Sequence, residues 1–146
     1  MKYSGSIQIN KPIDLVTRLF ADPDNLRHYQ DGFVKKVPLS GTPGETGAVS
    51  KMHYLNRGRE MVLIETIINN QLPDSFAATY SHPMMDNILR TSFSVISIDQ
   101  TLYEIDVEYT AINGIIPKLM AFLMPGMFTK QGKVWMDNFK QFVEAQ

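Results

Sequence analysis

YSGSIQINKPIDLVTRLFADPDNL, from Tyr3 to Leu26, holds the order of elements that decides the fold. Its opening alternates: Tyr3, Gly5, Ile7 and Ile9 against Ser4, Ser6, Gln8 and Asn10, the period of a half-buried strand. Lys11-Pro12-Ile13-Asp14 then changes the rule. Proline near a first helical position loses only an N–H that would be orphaned there, and an acid in the first turn suits the helix dipole. Leu15, Val16, Leu19 and Phe20 follow at helical spacing. Asp22-Pro23 starts again, with Asp22 as N-cap, and this second helix is short and ends before Gly32. Two helices therefore follow one strand before any other strand appears.

The remainder reads as six strands and a helix. Strands are expected at Phe33–Leu39, Ala48–Leu55, Glu60–Ile68, Ser75–Tyr80, Ile88–Ile98 and Leu102–Thr110. Their connections are rich in turn residues: Ser40 to Gly47 (SGTPGETG), Asn56-Arg57-Gly58-Arg59, Asn69 to Asp74, and Ser81 to Asp86 (SHPMMD). From Ile116 the period becomes helical, with Pro125-Gly126 breaking or kinking it before a second part, Met127 to Val143. No repeat, linker or low-complexity segment interrupts the chain, so residues 1–146 read as one domain. The expected architecture is α+β: a seven-stranded curved antiparallel sheet around a long C-terminal helix, with two short helices between strands one and two.

Hairpin pairing assigns faces, because opposed residues share one. With Asn56–Arg59 as a tip, Leu55 faces Glu60, and Ser50, Met52, Tyr54, Met61, Leu63 and Glu65 share a face. Lys51 and His53 mark the other face as the wet one. Pairing Asn69 with Asp74 places Leu63 opposite Tyr80, Glu65 opposite Ala78 and Ile67 opposite Phe76. A three-residue loop Asp99-Gln100-Thr101 places Phe93 opposite Val107 and Val95 opposite Ile105, in a uniform apolar face shared with Tyr103. The helix stripe expected over this face holds Met120, Met124, Phe128, Trp135, Phe139 and Phe142, with Met127, Gln131 and Asn138 alongside.

Composition narrows the function classes. Of 146 residues, 44% are hydrophobic and 20% charged, which suits a packed core rather than disorder. Fourteen Lys and Arg against fifteen Asp and Glu give a net charge of −1, and Lys35-Lys36 and Arg57/Arg59 stand isolated at hairpins, so no nucleic-acid surface is expected. The absence of Cys excludes disulfides and thiolate chemistry. His28, His53 and His82 form no metal-ligand spacing. No cofactor or metal is expected. The opening ten residues lack the apolar run of a secretory leader. Pro117, Lys118, Pro125 and Gly126 break the longest apolar stretch, so stable membrane insertion is not expected and a cytoplasmic location is.

The run I-x-I-x-K-P-I-D-x-V-x-x-L-F-A-D-P-D-N-L, Ile7 to Leu26, resembles the START-related or SRPBCC superfamily, which includes polyketide cyclase/dehydrase-like proteins and lipid-transfer domains. Leu39-Ser40-Gly41, Pro43-Gly44-Glu45-Thr46-Gly47, Glu65 and the closing helix continue the resemblance over nearly the whole chain. It implies a helix-grip fold whose cavity, between sheet and helix, holds lipids, sterols, polyketides or other apolar ligands in many relatives. These motifs are turn and cap signals, so they specify fold better than function.

Glu65 is the leading ionisable candidate. Its inward register would desolvate a carboxylate and fit it to act as acid, base or anchor; the alternatives are pairing with Ser50 or a nearby Tyr, or a solvated cavity mouth. Tyr54, Tyr80 and Tyr103 offer hydroxyls that either reach a ligand or satisfy themselves locally. The candidate ligand-lining set is Met52, Tyr54, Met61, Leu63, Glu65, Phe76, Tyr80, Phe93, Tyr103, Ile105, Met124, Phe128 and Trp135. The first reading is binding or carriage of an apolar or amphipathic small molecule. The second is a polyketide cyclase or dehydratase using Glu65 with Tyr54 or Tyr80, against which the lack of a second acid or base counts. The third is a protein-binding regulator docking through the apolar segment 115–128, which is also the candidate homodimer contact.

Overall fold

A computed structural model describes residues 1–146. The alternating segments form seven strands: β1 Lys2–Ile9, β2 Phe33–Ser40, β3 Val49–Asn56, β4 Arg59–Gln71, β5 Ser75–His82, β6 Met85–Ser97 and β7 Gln100–Ile112. They make one antiparallel sheet in the order β1-β7-β6-β5-β4-β3-β2. Strands β2 to β7 meander by hairpins, and β1 returns to pair with β7, with Ile7 opposite Tyr103. Helices α1 (Ile13–Ala21) and α2 (Leu26–Tyr29), joined by a 3-10 turn at Pro23–Asn25, fill the connection from β1 to β2. Asp22 caps that turn, its carboxylate accepting the Asp24 N–H at 2.9 Å.

The β3–β4 hairpin follows its expected register. Arg57 and Gly58 both take positive φ, 52° and 75°, the left-handed pair that a two-residue hairpin turn requires. Met52 therefore faces Leu63, Tyr54 faces Met61 and Ser50 faces Glu65.

Two registers differ from expectation. Strand β4 continues to Gln71, and Glu65 faces Tyr80 rather than Ala78, while Ile67 faces Ala78 rather than Phe76. The turn is tighter than expected, closed by the Asp74 N–H on the Gln71 carbonyl at 2.9 Å. Asn70 stays in the strand because its side chain finds partners, donating to the Gly44 carbonyl at 2.6 Å and accepting the Leu72 N–H at 3.3 Å. Further along, Phe93 faces Tyr103 and Val95 faces Thr101, not Val107 and Ile105. There the turn is Ile98-Asp99, and a register shift between Val95 and Ser97 absorbs the difference. Both slips move the pairing by an even number of residues across the inward face, so Phe93, Tyr103, Ile105 and Val107 still point inward and are buried. Val95, next to that shift, is 63% exposed.

The closing helix is two helices, α3 Ile115–Leu123 and α4 Gly126–Glu144. Pro125 disfavours helical backbone at Met124, whose φ and ψ are −135° and 56°. The single stripe expected from Met120 to Phe142 is thereby divided. Only α4 covers the sheet, packing on β1, α1 and α2. Its buried residues are Met136, Phe139 and Val143, with Trp135 and Phe142 half-buried on either side. Gly132 lets α4 approach β1 closely: a Cβ there would lie 2.5 Å from the Tyr3 hydroxyl oxygen. Met120, Met124 and Met127 are exposed, so segment 115–128 is not core.

Candidate functional site

The inward face is divided into a filled half and a polar half. Beside α1 the gap between sheet and α4 is closed by aromatic rings. Phe20 meets Phe93 at 5.2 Å, Phe76 at 5.7 Å and Phe139 at 5.9 Å between centroids, all edge-on. Phe93 stacks on Tyr103 at 5.1 Å. These edge-to-face arrangements suit ring quadrupoles. Phe76, Phe93, Tyr103 and Ile105 therefore serve packing here; the first of these is half-buried and the other three are buried.

The other half centres on Glu65, which is 4% exposed. The β3–β4 register turns it inward, and β5 brings Tyr80 opposite. The Tyr80 hydroxyl donates to Glu65 Oε2 at 2.9 Å. Lys36 Nζ lies 2.6 Å from Oε1, in an orientation that makes an ion pair without meeting hydrogen-bond angles. One of the expected alternatives, pairing with a nearby Tyr, is thus realised. The isolated buried carboxylate is not: it has a counter-ion.

Sequence reasoning missed Lys36. A register shift between Phe33 and Lys35 reverses the alternation of β2, so that Phe33 faces Tyr54 and Lys36 faces Met52. Strict alternation would have put Lys36 on the opposite face from Phe33.

Tyr54 is 2% exposed and donates to Gln30 Oε1 at 2.7 Å. Its ring lies parallel to Trp135, with centroids 6.1 Å apart and an interplanar angle of 9°. Burial pushes the phenols of Tyr54 and Tyr80 well above their ordinary range, and the nearby Glu65 charge adds to it. Burial first, then Tyr103, Tyr54 and Glu65, does the same at Tyr29. The site is one carboxylate, one ammonium and several phenols held protonated as donors. Two donors are buried without partners: Trp135 Nε1, beside Tyr54, and Thr91 Oγ1, whose strand neighbours are Phe76 and Ile105. Such groups cost about 1–3 kcal/mol each when unsatisfied.

The remaining candidates flank this half. Met52 is buried, and Met61, Leu63 and Phe128 are half-buried, Phe128 edge-on to Tyr109 at 5.1 Å. Met124 does not join them; it sits at the exposed break between α3 and α4. Two open surface depressions lie elsewhere, one between α1 and the Leu72–Pro73 turn and one on β1, β7 and β6, and neither includes Glu65. The histidines have separate roles. His28 stacks on Phe142 at 4.7 Å, His82 Nδ1 accepts the Met84 N–H at 3.1 Å, and His53 lies opposite Val62.

No family model and no curated protein sequence matches the chain. Solved structures do match. An aromatase/cyclase of Streptomyces, Zhui, is 11% identical with a TM-score of 0.80, covering 99% of this chain and 93% of that one. A START superfamily protein from Mycobacterium smegmatis is 12% identical with a TM-score of 0.73, covering 97% and 98%. The di-domain aromatase/cyclase StfQ of the steffimycin biosynthetic pathway is 13% identical with a TM-score of 0.76; the match covers 99% of this chain and 45% of that one. At these identities the likeness concerns the fold alone. The chain shares the helix-grip fold of these structures, the fold that the resemblance to START-related, or SRPBCC, proteins implied.

Proposed function

We propose that this protein binds an apolar small molecule carrying at least one hydrogen-bond acceptor, between the sheet and α4 in the half that holds Glu65. The buried, unpartnered indole N–H of Trp135 carries this reading. A native interior rarely leaves such a donor unmade, and a ligand oxygen would satisfy it. Half-buried Met61, Leu63, Tyr80 and Phe128 would supply apolar contact. The Tyr80–Glu65–Lys36 group would set orientation. A helix-grip fold shared with a START protein and with aromatase/cyclases supports a cavity ligand of this class.

The enzymatic reading gains one specific observation, the hydroxyl of Tyr80 at 2.9 Å from Glu65. Lys36 on the other carboxylate oxygen favours a fixed anchor over a proton carrier, and this ranks binding first.

Native mass spectrometry of freshly purified protein, with organic extraction, tests the proposal. An apolar molecule is expected to co-purify. Since Trp135 is the only tryptophan, returning the extract to stripped protein should shift its emission, and Tyr80→Phe should weaken that response. A ligand-free spectrum, with Trp135 emission unmoved by a fatty acid, a sterol and an aromatic polyketide, would overturn it.

A further inference from the structure

Helix α3 is amphipathic and displays its apolar side to solvent. At 100° per residue, Ile115, Ile116, Leu119, Phe122 and Leu123 fall on one side of the helix. Ile115 is 86% exposed, Ile116 70%, Phe122 82% and Leu123 63%. The opposite side carries Pro117, which is buried, and Ala121, which is half-buried. The helix thus meets its own protein through two small residues and presents its large ones outward. Its anchorage is short: Asn113 donates to the Met84 carbonyl at 2.8 Å through its backbone N–H and to the Pro83 carbonyl at 3.3 Å through its side chain. Met84, 46% exposed, extends the apolar tip.

The unpaired charge around this tip is mainly basic. Between Glu108 and Asp137 the chain has no acidic residue and has Lys118, Lys130 and Lys133. Lys133 is paired with Asp137, and the other two lysines make no ion pair. The antiparallel register brings the β3–β4 tip, with Arg57 and Arg59, to the same end of the sheet as Met84 and Ile112. The acids at that end are Asp31, Glu60, Asp86 and Glu108, and Asp31 accepts the Asn138 side-chain N–H at 3.5 Å. Glu108 is held by Lys2 and Arg90, and Asp86 accepts the Ser81 hydroxyl. In a protein of net charge −1, an apolar helix flanked by cations is a local exception.

We propose that α3 docks on the surface of an anionic lipid bilayer, its outward side entering the headgroup–acyl boundary and Lys118 and Lys130 meeting lipid phosphates. An amphipathic helix lying in the interface uses this division of apolar and basic residues. It does not span: no helix here is long and apolar enough to cross a membrane. A second copy is the poorer occupant, because a two-fold pairing of these tips would bring like-charged lysines together.

Sedimentation with vesicles tests this directly. The protein should pellet with phosphatidylcholine vesicles containing about one third phosphatidylglycerol and far less with phosphatidylcholine alone, since each basic residue near an anionic surface contributes roughly fivefold in affinity. Phe122→Ser with Leu123→Ser should lower binding by roughly a hundredfold, the cost of withholding two large side chains from an apolar phase. Both residues are exposed, so Trp135 emission should confirm an unchanged fold. Lys118→Gln should weaken binding to anionic vesicles only. Failure to pellet with anionic vesicles, or undiminished binding by the double variant, would overturn the proposal. So would a dimer in analytical ultracentrifugation that the double variant dissociates, with no vesicle binding.

Discussion

Lys36→Met isolates the central electrostatic feature of the interior. Lys36 Nζ stands 2.6 Å from a Glu65 carboxylate whose side chain is 5% exposed, while Lys36 itself is 22% exposed. Removing the ammonium leaves the carboxylate with one donor, Tyr80. Breaking a buried pair at one side costs about 3–5 kcal/mol. The partial exposure of Lys36 and the surviving Tyr80 bond reduce this toward about 2–3 kcal/mol. Lys36→Met with Glu65→Gln, which removes both charges, should recover most of the loss. Urea unfolding followed by Trp135 emission reads all three proteins. A deficit below about 0.5 kcal/mol at pH 7, or a double variant weaker than the single one, would refute the reasoning.

Two further outcomes concern the core. All six tyrosines have phenols raised above their ordinary value, burial being the first cause at each, and Tyr3 is pushed up to about 12. A raised folded value contributes stability that is complete below about pH 10 and is lost as pH rises toward the folded value. Absorbance at the tyrosinate band should thus lag an ordinary phenol titration and rise together with loss of far-UV dichroism; tyrosinate formation near pH 10 in folded protein would contradict it. Phe20→Ala should cost about 2–4 kcal/mol, since it removes a half-buried ring that touches four others and opens a void between α1, the sheet and α4. Thermal unfolding checks this, and a melting point within a degree of the parent would count against the packing described.

Element order, the inward faces and one complete register follow from the order of residues alone. These are local or periodic properties. Pro12, Asp22 and Pro23 punctuate the first helices, and Arg57-Gly58 admits one turn type. Alternation with period two keeps a face correct even when a hairpin slips by an even step, as between β6 and β7. Tertiary structure decided what depends on irregularities that no period encodes. The shift in β2 that turns Lys36 toward Glu65 is one. The tight turn at Leu72–Asp74, which exchanges Ala78 for Tyr80 opposite Glu65, is another. The polar group at the centre of the site exists only where both coincide. The fate of segment 115–128 was likewise undecided in the sequence, where core and interface read alike. Pro125 breaks the helical phase, α4 alone has room to cover the sheet, and α3 is left with its apolar side outward.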